Sequence, residues 1–416
     1  MKNRDKLLRK TIKLAYKTRL YGKLMRDRGL KPDDIRKIDD LEKMPIISKK
    51  DIVKDFWGAI GKPEDVYKFH TTSGTSGVPT VVGFTYNDWN IYVEQNVRCL
   101  KLADITKEDI IHNSTPYGMF FAGFVVHDAA KMLGPKIVPA GRLTSGRQHL
   151  NLIKLFNSTV FVGIPQYLLK LGYYVLENDE DPKEYPLKKA YVLGEPLPES
   201  KRRKIEDIWD IDVRIGYGLS EIGAGAECKE KCGIHWPEDH VMVKVINKEK
   251  DGKGELCYTT LTKTGTIAIN FASGDRSSIK GNCPCGRDSL LIDYIEERLD
   301  DLTKIKGTLI SPFIIDKILF EFNEIRNYLF VVDSNRGLDD ARLYIELSSE
   351  KSKKLKEKIK NSLLASISVS VDSQFIERDT IPQIGRKGKR FIDLRNKKGS
   401  KYEKIIREFE ESYVNE

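Results

Sequence analysis

A chain of 416 residues, 40% hydrophobic and 32% charged, is long and apolar enough to pack two or three domains, which excludes a disordered protein. No apolar run nears the roughly 18 residues of a membrane span, and no apolar signal core follows the basic residues 1–6, so a cytoplasmic protein with no membrane partner is expected. The formal charge of +10 is spread along the chain, which suits a small anionic ligand better than nucleic acid.

In chain order, residues 4–29 carry a helical pattern through Leu7, Leu8, Ile12, Leu14 and Ala15, ended by Gly29 and Pro32. Residues 71–80 then hold six hydroxyl side chains, two glycines and no acid. Glycine lets backbone approach a ligand closely, and successive N–H groups form an anion nest. Ser73, Gly74, Thr75, Ser76 and Gly77 are therefore expected to cradle phosphate. A Walker A loop is excluded, because no Gly-Lys-Ser/Thr ends the run.

From residue 110 to 221 short apolar runs alternate with helical patterns. Strands are predicted at 110–113, 136–139, 159–164, 190–193 and 213–215, and helices at 123–133, 146–156, 166–177 and 199–209. This alternation implies βαβ units and a largely parallel sheet, an α/β fold whose ligands bind beyond the C-terminal strand ends. The segments after those strands are an aromatic and glycine cluster (Tyr117, Gly118, Phe120), Leu193-Gly194-Glu195-Pro196, and Gly216-Tyr217-Gly218-Leu219-Ser220-Glu221.

Further on, Cys228, Cys232 and His235 precede Cys283 and Cys285 by about fifty residues. Five soft or borderline ligands in two tight clusters suit a structural tetrahedral zinc, which takes four. Cys99 and Cys257 stand alone in apolar patterns and are expected as buried thiols. Beyond Pro312 a helix at 313–322, strands at 328–332 and 342–347, a helix at 350–364 and a strand at 367–371 make a small α+β unit. The basic run 351–360 has Leu355 and Ile359 at helical spacing and is read as a solvated helix face.

Residues 73–80, Ser-Gly-Thr-Ser-Gly-Val-Pro-Thr, resemble the phosphate loop of the adenylate-forming superfamily. The continuation Val81-Val82-Gly83-Phe84-Thr85 resembles its phenylacetate–CoA ligase-like branch. The resemblance implies a large N-terminal domain, 1–299, and a small C-terminal lid, 300–416. It places Tyr117, Gly118 and Phe120 at the acyl pocket, and Gly194, Glu195 and Pro196 at the adenine, with Leu193 where the family has its first glycine. It gives Tyr217 and Gly218 to adenine, Ser220 to the α-phosphate and Glu221 to Mg²⁺. Asp275, in Ser273-Gly274-Asp275, is implied for the ribose hydroxyls, whose hydrogen bonds an ionised carboxylate accepts. Upstream of it the branch carries Arg-Tyr-Arg, and this chain has Asn270-Phe271-Ala272. Arg298 is implied at the ribose and Asp300 at a domain pivot. The zinc ligands implied are Cys228, His235, Cys283 and Cys285, with Cys232 spare or replacing His235. Residues 381–393 resemble the catalytic-lysine segment, which puts the lysine at Lys387 and an arginine at Arg390. Arg386 stands where the family has glycine, so Lys389, after Gly388, is the fallback.

The implied activity is an ATP-dependent carboxylate–CoA ligase, acting through an acyl-adenylate on an aryl or arylalkyl acid. Its substrates would be a small carboxylate, ATP and CoA, with Mg²⁺ as cofactor and zinc as a structural ion; a homodimer is left open. The alternatives are an adenylating enzyme that passes its acyl group to a carrier protein or coenzyme, and a zinc-bearing nucleic-acid-binding protein.

Overall fold

A computed structural model describes residues 2–71, 80–143, 145–335, 338–384, 389–395, 397 and 399–414. The chain divides into two compact units. The first comprises Met1–Leu171, Asp181–Glu195 and Trp209–Ile295; the second comprises Gly172–Glu180, Pro196–Ile208 and Glu296–Glu416. Among the described residues no helix is long and apolar enough to cross a membrane.

The first unit is built on a nine-stranded sheet. Its parallel half runs, in spatial order, Lys136–Val138, Ile110–Asn113, Val160–Gly163, Lys189–Leu193 and Asp212–Leu219. Every residue of Val160–Gly163 is buried, as expected of a strand covered on both faces. The connecting helix Ala122–Leu133 ends at Gly134, whose φ of 111° is open to glycine but strained for other residues. The sheet continues antiparallel through Gly223–Ala226, Ile234–Trp236, Leu290–Ile292 and Ile279–Lys280. A second sheet orders Ile47–Ser48, Phe271–Ser277, Gly254–Thr260 and Val241–Ile246. The hairpin Val66–Thr71 and Val81–Thr85 flanks the hydroxyl-rich loop.

Two sequence expectations need correcting. The helix expected over 4–29 is two helices, Lys2–Lys17 and Arg19–Arg26. Thr18 divides them: its hydroxyl donates to the Ala15 carbonyl at 2.7 Å and accepts from the Tyr21 N–H at 3.3 Å, capping the second helix. The strand expected at 367–371 is not there. The helix Lys353–Ile367 keeps its buried stripe, Leu355, Ile359, Leu363 and Ile367, to its last residue. Ser368 then turns left-handed at φ 54°, and the strand begins only at Asp372. In the second unit Asp372–Ile376, Leu338–Leu347, Ile325–Asn335 and Phe391–Asp393 form a mixed sheet in that order.

A buried histidine pair sits under the parallel sheet. His112, on the strand Ile110–Asn113, and His149, on the helix Gly146–Leu155, approach at 2.8 Å from Nε2 to Nδ1. Burial drives both pKa values down, to about 3 for His112, with a smaller push from His149, and to about 4 for His149. Both rings are thus neutral in the fold, whereas an unfolded imidazole binds its proton near pH ~6.5. A lowered native pKa means the unfolded state takes up protons first, so stability is expected to fall as pH drops from about 6.5 toward 4. Urea midpoints measured across that range should decline, and His149→Gln should flatten the decline. Parallel declines in both proteins would acquit the pair.

Candidate active site

The strand Asp212–Leu219 carries its chemistry at its C-terminal end. Gly216 is required there, because a Cβ would lie 2.1 Å from the Tyr191 hydroxyl oxygen. Next to it the Tyr217 hydroxyl donates to Asp275 Oδ2 at 2.7 Å and accepts from the Tyr258 hydroxyl at 3.1 Å. Asp275 is buried on Phe271–Ser277, a strand of the second sheet, so two sheets meet at this contact. Burial, reinforced by the Asp275 charge, raises the Tyr217 pKa well above its ordinary value, and the phenol stays a donor. Gly274 takes φ 78° and donates its N–H to Glu255, which sets the turn into Asp275. Gly218 is exposed beside Tyr217.

The turn after this strand holds Ser220, half-exposed, and Glu221, only 3% exposed. Glu221 Oε1 is buried without a hydrogen-bond partner among the described residues. A carboxylate oxygen left bare in this way fits a hard cation such as Mg²⁺. Lys263 lies behind the turn and donates to the carbonyls of Ser220 at 3.2 Å and Glu221 at 2.8 Å. Sequence reasoning missed Lys263, since a lysine in a short connection between strands carries no signal of burial.

Gly194, at φ 92°, and Glu195 follow the strand Lys189–Leu193; Glu195 Oε1 accepts from the Gln166 N–H at 2.9 Å. Pro196 opens the segment that packs with the second unit. Tyr117 follows the strand Ile110–Asn113, with its hydroxyl 3.0 Å from Asn113 Nδ2 and 3.5 Å from His127 Nδ1. Its ring meets Phe124 edge-on, Gly118 turns at φ 105°, and Phe120 is half-buried. Asn270, where the resemblance expects arginine, holds the N-terminal segment instead: Nδ2 donates to the Leu41 and Met44 carbonyls at 2.7 and 3.1 Å.

In the second unit, Arg298 ends the strand Glu297–Arg298 and Asp300 is exposed in the turn Leu299–Asp301. Arg390 reaches Asp316 at 2.9 Å, and the Lys389 N–H donates to the Ile384 carbonyl at 2.7 Å. Lys387 lies outside the described residues, as do Ser73, Gly74, Thr75, Ser76 and Gly77.

The candidate metal ligands do converge. One ligand atom from each of Cys228, His235, Cys283 and Cys285 lies within 4.8 Å of all the others. Pairing of Ile234–Trp236 with Leu290–Ile292 brings the two ends of the motif together. The Cys228 and Cys283 sulfurs are 3.5 Å apart, and His235 Nε2 is 3.6 Å from the Cys285 sulfur. His235 Nδ1 is engaged by the Ser289 hydroxyl at 2.6 Å, which orients Nε2 into the cluster. Cys232 stands beside the quartet, 3.2 Å from the Cys283 sulfur. Cys99 and Cys257 are buried thiols, as expected.

Residues 22–262 match the family of AMP-binding enzymes, and residues 307–395 match the AMP-binding enzyme C-terminal domain. The chain is 31% identical to the phenylacetate-coenzyme A ligase of Thermus thermophilus, over 83% of this chain and 80% of that relative. It is 29% identical to the phenylacetate-coenzyme A ligase of Escherichia coli (strain K12), over 94% and 93% of the two lengths. Its fold is similar to that of 2-hydroxyisobutyryl-CoA ligase in the postadenylation state in complex with 2-HIB-AMP, with TM-score 0.85 at 20% identity, covering 98% of this chain and 91% of that one.

Proposed function

The chain belongs to the AMP-binding enzyme family, in its phenylacetate–CoA ligase-like branch, and from that membership we propose that it is an ATP-dependent carboxylate–CoA ligase acting through an acyl-adenylate. The observation that carries the proposal to this site is the buried Glu221 Oε1, without a hydrogen-bond partner among the described residues, four residues beyond a tyrosine bonded to Asp275.

Two anions must meet in the first half-reaction, so the protein's task is to supply positive charge and position. A carboxylate oxygen of the acid attacks the α-phosphorus; the bond to the β-phosphate bridging oxygen breaks and pyrophosphate leaves. Tyr217 offers its ring to the adenine and Asp275 its carboxylate to the ribose. Ser220 donates to the α-phosphate, and Gly194, Glu195 and Pro196 border the base. Glu221 would hold Mg²⁺, which supplies charge neutralisation to the phosphates when bound. Ser73, Gly74, Thr75, Ser76 and Gly77 receive the phosphate chain, and residues 300–416 act as the lid that brings Lys387. In the second half the CoA thiol attacks the acyl carbon; the C–S bond forms, AMP departs, and the thiol proton is released to solvent.

The acid is aryl or arylalkyl. The aromatic faces of Tyr117 and Phe124, with the half-buried Phe120, support that class. The quartet Cys228, His235, Cys283 and Cys285 would hold a structural zinc, since four ligands leave no open position.

Pyrophosphate release with MgATP across a panel of carboxylates, with and without CoA, tests the reading. Release that needs an aromatic acid, with thioester appearing only when CoA is present, is expected. Acid-dependent release without CoA consumption would assign another acceptor, and silence across the panel would sink the proposal.

A further inference from the structure

We propose that Lys263 is a positioning residue for adenylation: its ammonium fixes the backbone of the turn that presents the Ser220 hydroxyl and the Glu221 carboxylate. The inference rests on the reading of Ser220 and Glu221 given above, and it adds a residue which neither motif contains. Lys263 is 5% exposed, and its Nζ donates to two successive carbonyls, Ser220 at 3.2 Å and Glu221 at 2.8 Å. The adjoining carbonyls are held from the helix Tyr86–Leu102. The Tyr92 hydroxyl lies 3.0 Å from the Leu219 carbonyl and 3.1 Å from that of Gly223, and Gln95 accepts the Ala224 N–H at 3.3 Å. Four carbonyls of one turn thus face two side-chain donors, the Tyr92 hydroxyl sharing its one proton between two of them.

Lys263 is itself held in place. The N–H groups of Thr264 and Gly265 both donate to Asp88, at 2.8 and 2.7 Å, and the Asp88 carboxylate also accepts from the N–H of Thr85, the residue that caps the same helix. The rings of Phe84 and Tyr92 line its approach, with centroids 4.9 and 5.5 Å from Nζ. Burying an ammonium is costly, and a methionine could fill a purely apolar space of this kind without that cost. Burial pulls the Lys263 pKa down to about 8, against attraction from Asp88 and Glu221. The ammonium is offset where its donors fall on the backbone of the two residues with chemistry. It touches no reacting atom and acts through them.

The test compares wild type, Lys263→Met and Tyr92→Phe. Calorimetric titration measures Mg²⁺-dependent binding of a non-hydrolysable ATP analogue, and kinetics measures pyrophosphate release and thioester formation from supplied acyl-AMP. For Lys263→Met, Mg²⁺-dependent analogue binding and the rate of pyrophosphate release are expected to fall by about 10- to 100-fold, as for lost outer-shell support of a metal ligand. The carboxylate KM and the thioester half-reaction should stay within about twofold of wild type. Unchanged analogue binding, or equal loss in both half-reactions, would overturn the proposal. If Lys263→Met does not fold, Tyr92→Phe loosens the same turn, and a wild-type Mg²⁺ response there overturns it too. A wild-type protein that binds no MgATP analogue would remove the functional reading and this inference together.

Discussion

Lys387→Ala is expected to cut pyrophosphate release by about 100- to 1,000-fold, the scale of losing one preorganised group aimed at transition-state charge. Thioester formation from supplied acyl-AMP should be nearly untouched. The asymmetry follows from the chemistry. In the first half a carboxylate approaches a polyphosphate, and a compact ammonium on a long stem offsets charge that develops between them. In the second half the acyl carbon is already activated, and no phosphorus is attacked. Measuring the two halves separately also divides the possible failures. Equal loss in both would mean misfolding, while a full rate would transfer the role to Lys389. That residue has its backbone N–H on the Ile384 carbonyl, where the described chain resumes.

Cys283→Ser is expected to empty the proposed zinc site and lower the melting temperature by on the order of 5 °C. Cys283 lies in contact with both Cys228 and Cys232, so its loss opens the cluster at its middle. Metal bound only by the folded chain contributes its binding energy to stability. About 3–5 kcal/mol of loss, at roughly 1 °C per kcal/mol for a chain of 416 residues, gives a shift of that size. Elemental analysis should find one zinc per wild-type chain, and scanning calorimetry should show the same drop after stripping by a strong chelator. Cys232→Ser should keep its metal. Loss of zinc from that variant would instead make Cys232 a ligand in place of His235, and metal-free wild-type protein with an unchanged melt would dispose of the site.

The parallel half of the large sheet was legible because its strands are short, continuous apolar runs bounded by glycine, proline or polar residues. Val160–Gly163 and Lys189–Leu193 lie within a residue of their predicted limits. The antiparallel half was not. Gly-Ala-Gly-Ala at Gly223–Ala226 has no alternation to read, and it is a strand only because Asp212–Leu219 and Ile234–Trp236 flank it. The site divides in the same way. Tyr217, Ser220, Glu221 and Asp275 were named from local motifs, yet the Tyr217–Asp275 bond joins residues 58 positions apart and belongs to two sheets meeting. Lys263 had no motif at all: its burial is a property of Asp88, Phe84 and Tyr92 closing around it.

The second compact unit is not one interval of the chain. The helix Glu199–Trp209 sends Lys201 to Asp316, and Lys204 to the carbonyls of Phe322 and Ile325 at 2.7 and 2.8 Å. Lys201 is fully buried, and burial holds the Lys204 pKa down to about 8. A chimera that imports a C-terminal cassette from another member, spliced near residue 300, would therefore inherit two buried cations without their acceptors unless the donor sequence also keeps an acid and two carbonyls at those places. Residues 172–180, 196–208 and 296–416 have to be exchanged as one module, although residues of the other unit separate all three along the chain.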